Sequence, residues 1–201
     1  MSAPDSDRDP EAVLRADPVM ATVIDRREPH PLESNPDEYE RLCVSIINQQ
    51  LSTASAAAVR ERVFDVLEGE VTPETVLAAS RDELRDAGLS RTKVDYVENA
   101  ARAFQERDLT REGLADYTNE DVRRELTRIN GVGDWTARMY LMFVLQRPDV
   151  LPLGDLAVRR GIEQLYNDGE ALSRAEMRSI ADPWRPYRSL ASRYLWAEYE
   201  A

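Results

Sequence analysis

A carboxylate beside an anion-binding turn is the one arrangement in this sequence that could do chemistry. Asn130-Gly131-Val132-Gly133 forces a turn after a run with apolar Val122, Leu126 and Ile129 at helical spacing. Two glycines two apart free the backbone for positive φ and for a close approach by another backbone. Asp134 reads as the N-cap of a second helix, whose apolar face is Ala137, Tyr140, Leu141 and Val144. The turn amides and that helix N-terminus would form a concave set of donors for an anion such as a phosphate. Asp155, after Gly154, is the carboxylate nearby. Taken alone, the glycines read equally well as a plain helix–helix turn, and Asp155 as an N-cap.

Other reactive groups are scarce. Cys43 is the only cysteine, so an internal disulfide and a four-cysteine iron–sulfur cluster are excluded. It sits in the apolar run LCVSII and reads as core. With His30 the only histidine, a zinc site of ordinary ligation is not expected either. No cofactor and no metal are expected. The only lysine is Lys93.

The elements that must hold these residues read as helices. Periodic segments start at Val19, near Pro36, and at Thr53, Pro73, Ser80, Ser90, Thr118, Ser173 and Pro186. Ser80-x-x-Glu83 and Ser173-x-x-Glu176 have capping-box spacing. No segment keeps a strand-like period of two. The fold class is therefore all-α, with roughly ten helices and short connections.

Composition bounds the rest. The hydrophobic share of 42% suffices for a buried core, but no apolar run approaches the roughly 18 residues of a membrane span. The acidic start MSAPDSDRDPEAV lacks the apolar centre of a secretory signal, so a cytoplasmic location is expected. Residues 1–18 read as a short disordered lead before one domain over residues 19–201. The net charge is −12, unusual for a chain that grips nucleic acid. All but one of the 26 basic residues are arginine, however. A lysine-poor, acid-rich surface suits a chain adapted to very high salt, where self-repulsion is screened within a few ångströms. A halophilic source is the expectation. The bland alternative is an acidic helical interaction domain without a DNA role.

Together these segments resemble the helix-hairpin-helix (HhH-GPD) DNA glycosylase superfamily, and within it the alkylated-base, 3-methyladenine type. INGVGDWTA is similar to the family's L/I-P-G-I/V-G-x-W-T-A, with Asn130 where proline is usual. Asp155 follows Trp135 by 20 residues, the family's placing of its catalytic aspartate. WRPYRSLASRYLW resembles the family's last helix. With SIINQQLSTASA, the likeness covers roughly Asp37 to Trp196.

The resemblance implies two helical lobes flanking a cleft, and the excision of alkylated purines from double-stranded DNA containing damaged bases by a monomeric enzyme. It implies Asp155 as the catalytic carboxylate. Trp135 and Trp196 become aromatic walls for a positively charged base, with Tyr140 a further candidate that also fits the core. Asn130, Gly131, Val132, Gly133 and Thr136 would contact the DNA backbone. Leu51, with Gln50 beside it, would be the wedge that fills the duplex where a nucleotide leaves. Without the resemblance, Gln49-Gln50-Leu51-Ser52 reads as a helix junction with Leu51 in the core. AGLSRTK reads as a C-cap glycine and an N-cap serine, with Arg91 and Lys93 near DNA under the resemblance. Arg185, Arg188 and Arg193 in the last helix read as solvated, or as phosphate contacts.

Bifunctional members of this superfamily use a lysine at the position this chain gives to Trp135. Lys93 lies in another segment, so a water-using enzyme without a lyase step is implied. The main rival is a non-catalytic helix-hairpin-helix module that grips DNA and has no use for Asp155.

Overall fold

The computed structural model describes residues 9–32 and 37–201, so the helix start expected at Pro36 lies outside the described residues. Every regular element within them is helical, twelve α-helices in all, one of which runs on into a π-helical turn. None is long and apolar enough to cross a membrane. The chain divides into two compact units, one of Met1–Leu32 with Gln146–Ala201, the other of Glu33–Leu145.

The unit holding the hairpin is built on α3 (Glu38–Asn48), which α4 (Thr53–Val66) and α7 (Arg91–Glu106) pack against. Tyr39 and every residue from Leu42 to Ile47 are buried, as befits a helix covered on nearly all sides. Cys43 lies in that run at 2% exposure, and burial pushes its thiol up to about 12. The short α5 (Pro73–Ala78) and α6 (Arg81–Asp86) pack on α7. Then come α8 (Asn119–Leu126) and α9 (Asp134–Met139), the latter continuing directly into the π-helical turn Tyr140–Val144. The starts follow local chemistry. Ser52, Ser80, Ser90 and Thr118 each accept the amide three residues on. At Ser80 only this forward half of the expected box forms among the described residues. α8 stops at Leu126 instead of reaching Ile129, because the chain tightens into a turn in which the Ile129 amide donates to the Leu126 carbonyl at 3.0 Å.

The other unit joins the two ends of the chain. It holds α1 (Pro10–Leu14), α2 (Pro18–Arg26), α10 (Leu156–Tyr166), α11 (Arg174–Ile180) and α12 (Arg188–Tyr199), with α2 and α10 both packing on α12. Within the lead expected over residues 1–18, Pro10–Leu14 is helical and Leu14 is fully buried. Asp9-Pro10 and Asp17-Pro18 are each a cap followed by proline at the first helical position. The Asp17 carboxylate accepts from the Val19 and Met20 amides, and also from Tyr166 Oη at 2.6 Å and Trp184 Nε1 at 3.0 Å. Burial pushes this carboxyl up, but those donors outweigh it and hold it below the usual range. α11 opens with the capping box expected at Ser173 and Glu176. α12 starts at Arg188, two residues beyond the expected Pro186. α10 meets α12 at Gly161, where an added Cβ would lie 3.3 Å from Leu195.

Candidate active site

Asp155 is held by backbone and by α12. It caps α10, its Oδ1 accepting the Val158 amide at 3.1 Å. The same oxygen accepts the indole N–H of Trp196, in α12, at 2.9 Å. Two donors on one oxygen fix the plane of the carboxylate. The approach to Asp155 is tied to α12 as well. Arg188 grips both carboxylate oxygens of Asp149, at 2.5 and 3.0 Å, and Arg185 adds a bond of 2.8 Å. The Ser189 hydroxyl accepts the Val150 amide and donates to the Arg147 carbonyl, while the Ser189 amide donates to the Pro148 carbonyl. Leu151 and Leu153 are buried, and the Asp155 amide closes a turn on the Pro152 carbonyl at 2.8 Å. A loop so tethered holds its carboxylate still, which is what preorganised electrostatic stabilisation needs.

Trp196 is 7% exposed, and His30 meets it in a T-shaped arrangement with ring centroids 6.2 Å apart. Its indole is one of the two aromatic walls expected from the sequence, and it reaches Asp155. The three arginines weighed as phosphate contacts have structural partners. Arg185 and Arg188 hold Asp149, and Arg193 donates to the His30 carbonyl at 2.5 Å.

The hairpin gives a more divided result. Gly131 has φ +103°, and a Cβ there would fall 2.2 Å from Tyr96 Cγ, so glycine is required. Gly133 has ordinary extended backbone, and a Cβ there would meet open space. Gly131→Ala should therefore cost about 2–4 kcal/mol of stability, from forced φ and overlap together. Gly133→Ala should change stability little. Urea unfolding of both checks this, and equal losses would mean that the turn does not depend on Gly131 in this way.

Gly133, and not Asp134, occupies the N-cap of α9, with no side-chain cap. Asp134 is instead drawn between Arg123 Nη1 at 2.9 Å and Arg138 Nε at 2.8 Å. Burial pushes its carboxyl up, and the two arginines outweigh this and hold it below the usual range. Asn130 is exposed and its carbonyl accepts Asn99 Nδ2 at 3.3 Å.

Three expected site residues prove to be core. Tyr140 is 1% exposed, donates to the Leu109 carbonyl at 2.6 Å and meets Phe104 edge-on. Val132 is 4% exposed and its amide is used on the Ile129 carbonyl. Thr136 is 1% exposed, its Oγ1 accepting Gln49 Nε2 at 2.9 Å. Each faces inward because the helix-and-turn unit packs that side against its neighbours. Trp135, one residue earlier, is half-buried.

Gln50 and Leu51 lie at the surface. Gln50 takes φ +58°, uncommon for a residue with a side chain, and Leu51 is 38% exposed, which rules out the core reading. Gln49, which nothing in the sequence singled out, bridges to the hairpin through Gly131 O and Thr136 Oγ1. Lys93 donates to the Ile47 and Gln49 carbonyls, both at 2.7 Å, so it closes the end of α3 instead of standing free for DNA.

The profile described as "HhH-GPD superfamily base excision DNA repair protein" matches residues 43–186. A DNA-3-methyladenine glycosylase of Bacillus subtilis is 26% identical over 92% of this chain, which covers 64% of that relative. The chain spans about two-thirds of the length of the first curated relatives it matches. A solved DNA-3-methyladenine glycosidase from Bacillus halodurans is 31% identical, with a TM-score of 0.80 over 96% of this chain and 90% of that one. The Schizosaccharomyces pombe 3-methyladenine DNA glycosylase, solved in complex with abasic DNA, is 27% identical and superposes with a TM-score of 0.86 over 96% of both chains. A matched span that contains Leu51, the hairpin and the capped Asp155 leaves one reading of ancestry, and the chain belongs to the HhH-GPD superfamily of base excision DNA repair proteins.

Proposed function

We propose that this protein hydrolyses the N-glycosidic bond of alkylated purines, such as 3-methyladenine and 7-methylguanine, flipped out of duplex DNA. The observation that carries the proposal is the carboxylate of Asp155, fixed by the Val158 amide and the Trp196 indole on a tethered loop. Breaking the bond from C1′ to the base leaves a cationic sugar, and the electron pair goes to the base. An alkylated purine is already positively charged, so it departs neutral and needs little acid assistance. A fixed carboxylate stabilises the sugar cation and receives the proton as a water oxygen bonds to C1′. Trp135 offers the charged base an aromatic face. Backbone donors of the hairpin serve as phosphate contacts, a mode that does not depend on net positive charge.

The reaction is a hydrolysis without a lyase step. A lyase step needs a free amine to form a Schiff base, and the one lysine side chain has its Nζ bound to two carbonyls. The test is base release from duplexes carrying one defined lesion each, run at low and at molar potassium chloride. Release of no alkylated base at either salt would remove the proposal.

Leu51 would act as the wedge. Leu51→Ala should weaken binding to an abasic duplex by about tenfold to a hundredfold, the scale of compensated unstacking. The melting temperature should barely move, since the side chain is 38% exposed. Early melting with unaltered abasic-duplex binding would return Leu51 to a packing role.

A further inference from the structure

The wedge turn and the hairpin are tied to each other and to α7 by polar bonds that no packing argument requires. Gln49 closes α3, and the chain reverses immediately after it through Gln50 at φ +58°. Its side-chain amide donates to the Gly131 carbonyl at 3.0 Å and to Thr136 Oγ1 at 2.9 Å. Its own carbonyl, with that of Ile47, accepts Lys93 Nζ from the first turn of α7. Farther along α7, Tyr96 packs on Gly131, and Asn99 Nδ2 donates to the Asn130 carbonyl. Lys93, Tyr96 and Asn99 recur every three residues and so share one face of the helix. One side chain thus joins the wedge to the hairpin, and one helix face braces both.

We infer that Gln49 is a positioning residue that sets the distance between the wedge and the phosphate-gripping hairpin, with Lys93 fixing Gln49 in turn. This rests on reading Gln50-Leu51 as a wedge. Inserting a side chain into a duplex while holding its backbone requires the two contacts to keep a set separation. A loose turn would lose the insertion while keeping the grip. Gln49 touches neither base nor sugar in this scheme. It acts through Leu51, and its removal should matter only while Leu51 is present.

Gln49→Met tests this, because methionine keeps the length and volume of glutamine and removes the amide donors. The probe is a duplex with a tetrahydrofuran abasic analogue next to 2-aminopurine, whose fluorescence reports unstacking without any catalysis. Gln49→Met should bind it about tenfold more weakly and with a smaller fluorescence change. Binding to undamaged duplex, which tests the hairpin grip, should stay near that of the wild type. Leu51→Ala should show the same pattern, and the double variant should be no worse than Leu51→Ala alone. Losses that multiply in the double variant would overturn the inference, and so would equal losses on undamaged duplex. A wild type that unstacks the probe but releases no base would remove the proposed reaction and leave the clasp standing. A wild type that does neither would remove both.

Discussion

Asp155→Asn should lower base release by about two to three orders of magnitude and leave DNA binding in place. The asparagine carbonyl can still accept the Val158 amide and the Trp196 indole, the two bonds that Oδ1 now receives. Helix capping therefore survives, and the melting temperature should move little. What is lost is the negative charge facing the sugar cation and the acceptor for the water proton. Residual activity should be largest for the most labile lesions, whose bases leave with least help. Single-turnover excision on defined lesions gives the measurement. Borohydride should trap no covalent protein–DNA adduct with either form. Near wild-type rates in the variant would reduce Asp155 to a helix cap and remove the mechanism proposed for it.

The second large effect is expected at Trp196. Trp196→Phe keeps an aromatic face and removes the indole N–H that reaches Asp155 Oδ1. A carboxylate released from that bond can swing by a fraction of an ångström to an ångström. Misplacement on that scale costs about a hundredfold in rate. If Trp196 works through Asp155, the loss should fall on the chemical step and not on lesion binding. Adding Trp196→Phe to Asp155→Asn should then cost little more, since the group being aimed is already gone. Were Trp196 mainly a stacking wall, the phenylalanine variant would instead show weakened lesion binding and losses that multiply.

Much of the fold was legible because helix starts are local chemistry. Ser52, Ser90, Thr118 and Ser173 cap the helices that their spacing predicts. The first helix carried the same kind of signal, Asp9-Pro10, but a polar composition hid it, whereas the second, expected from Val19, starts one residue earlier at Pro18. Asp134 misled for a tertiary reason: it resembles a cap, but Arg123 and Arg138 capture its carboxylate and Gly133 takes the cap position.

The same limit applies to the site. Asp155 and the hairpin could be found by pattern, because a glycine turn and a capped aspartate are short motifs. Thr136 and Tyr140 lie one turn apart on α9 and its π-helical extension, and both face inward. Helical spacing groups them without saying which neighbour covers them. Gln49 and Gln50 are chemically identical neighbours. Only the reversal at Gln50 sends one amide to the hairpin and the other to the surface.

The depth at which Cys43 is buried has a practical consequence. As the only thiol in the chain, covered to 2% exposure and poorly ionised near neutrality, it offers almost nothing to a maleimide or an iodoacetamide. A second cysteine placed at the surface would therefore take a dye at one defined position without any background substitution. Put at exposed Ser52, beside the wedge turn, such a dye could follow entry into DNA one molecule at a time.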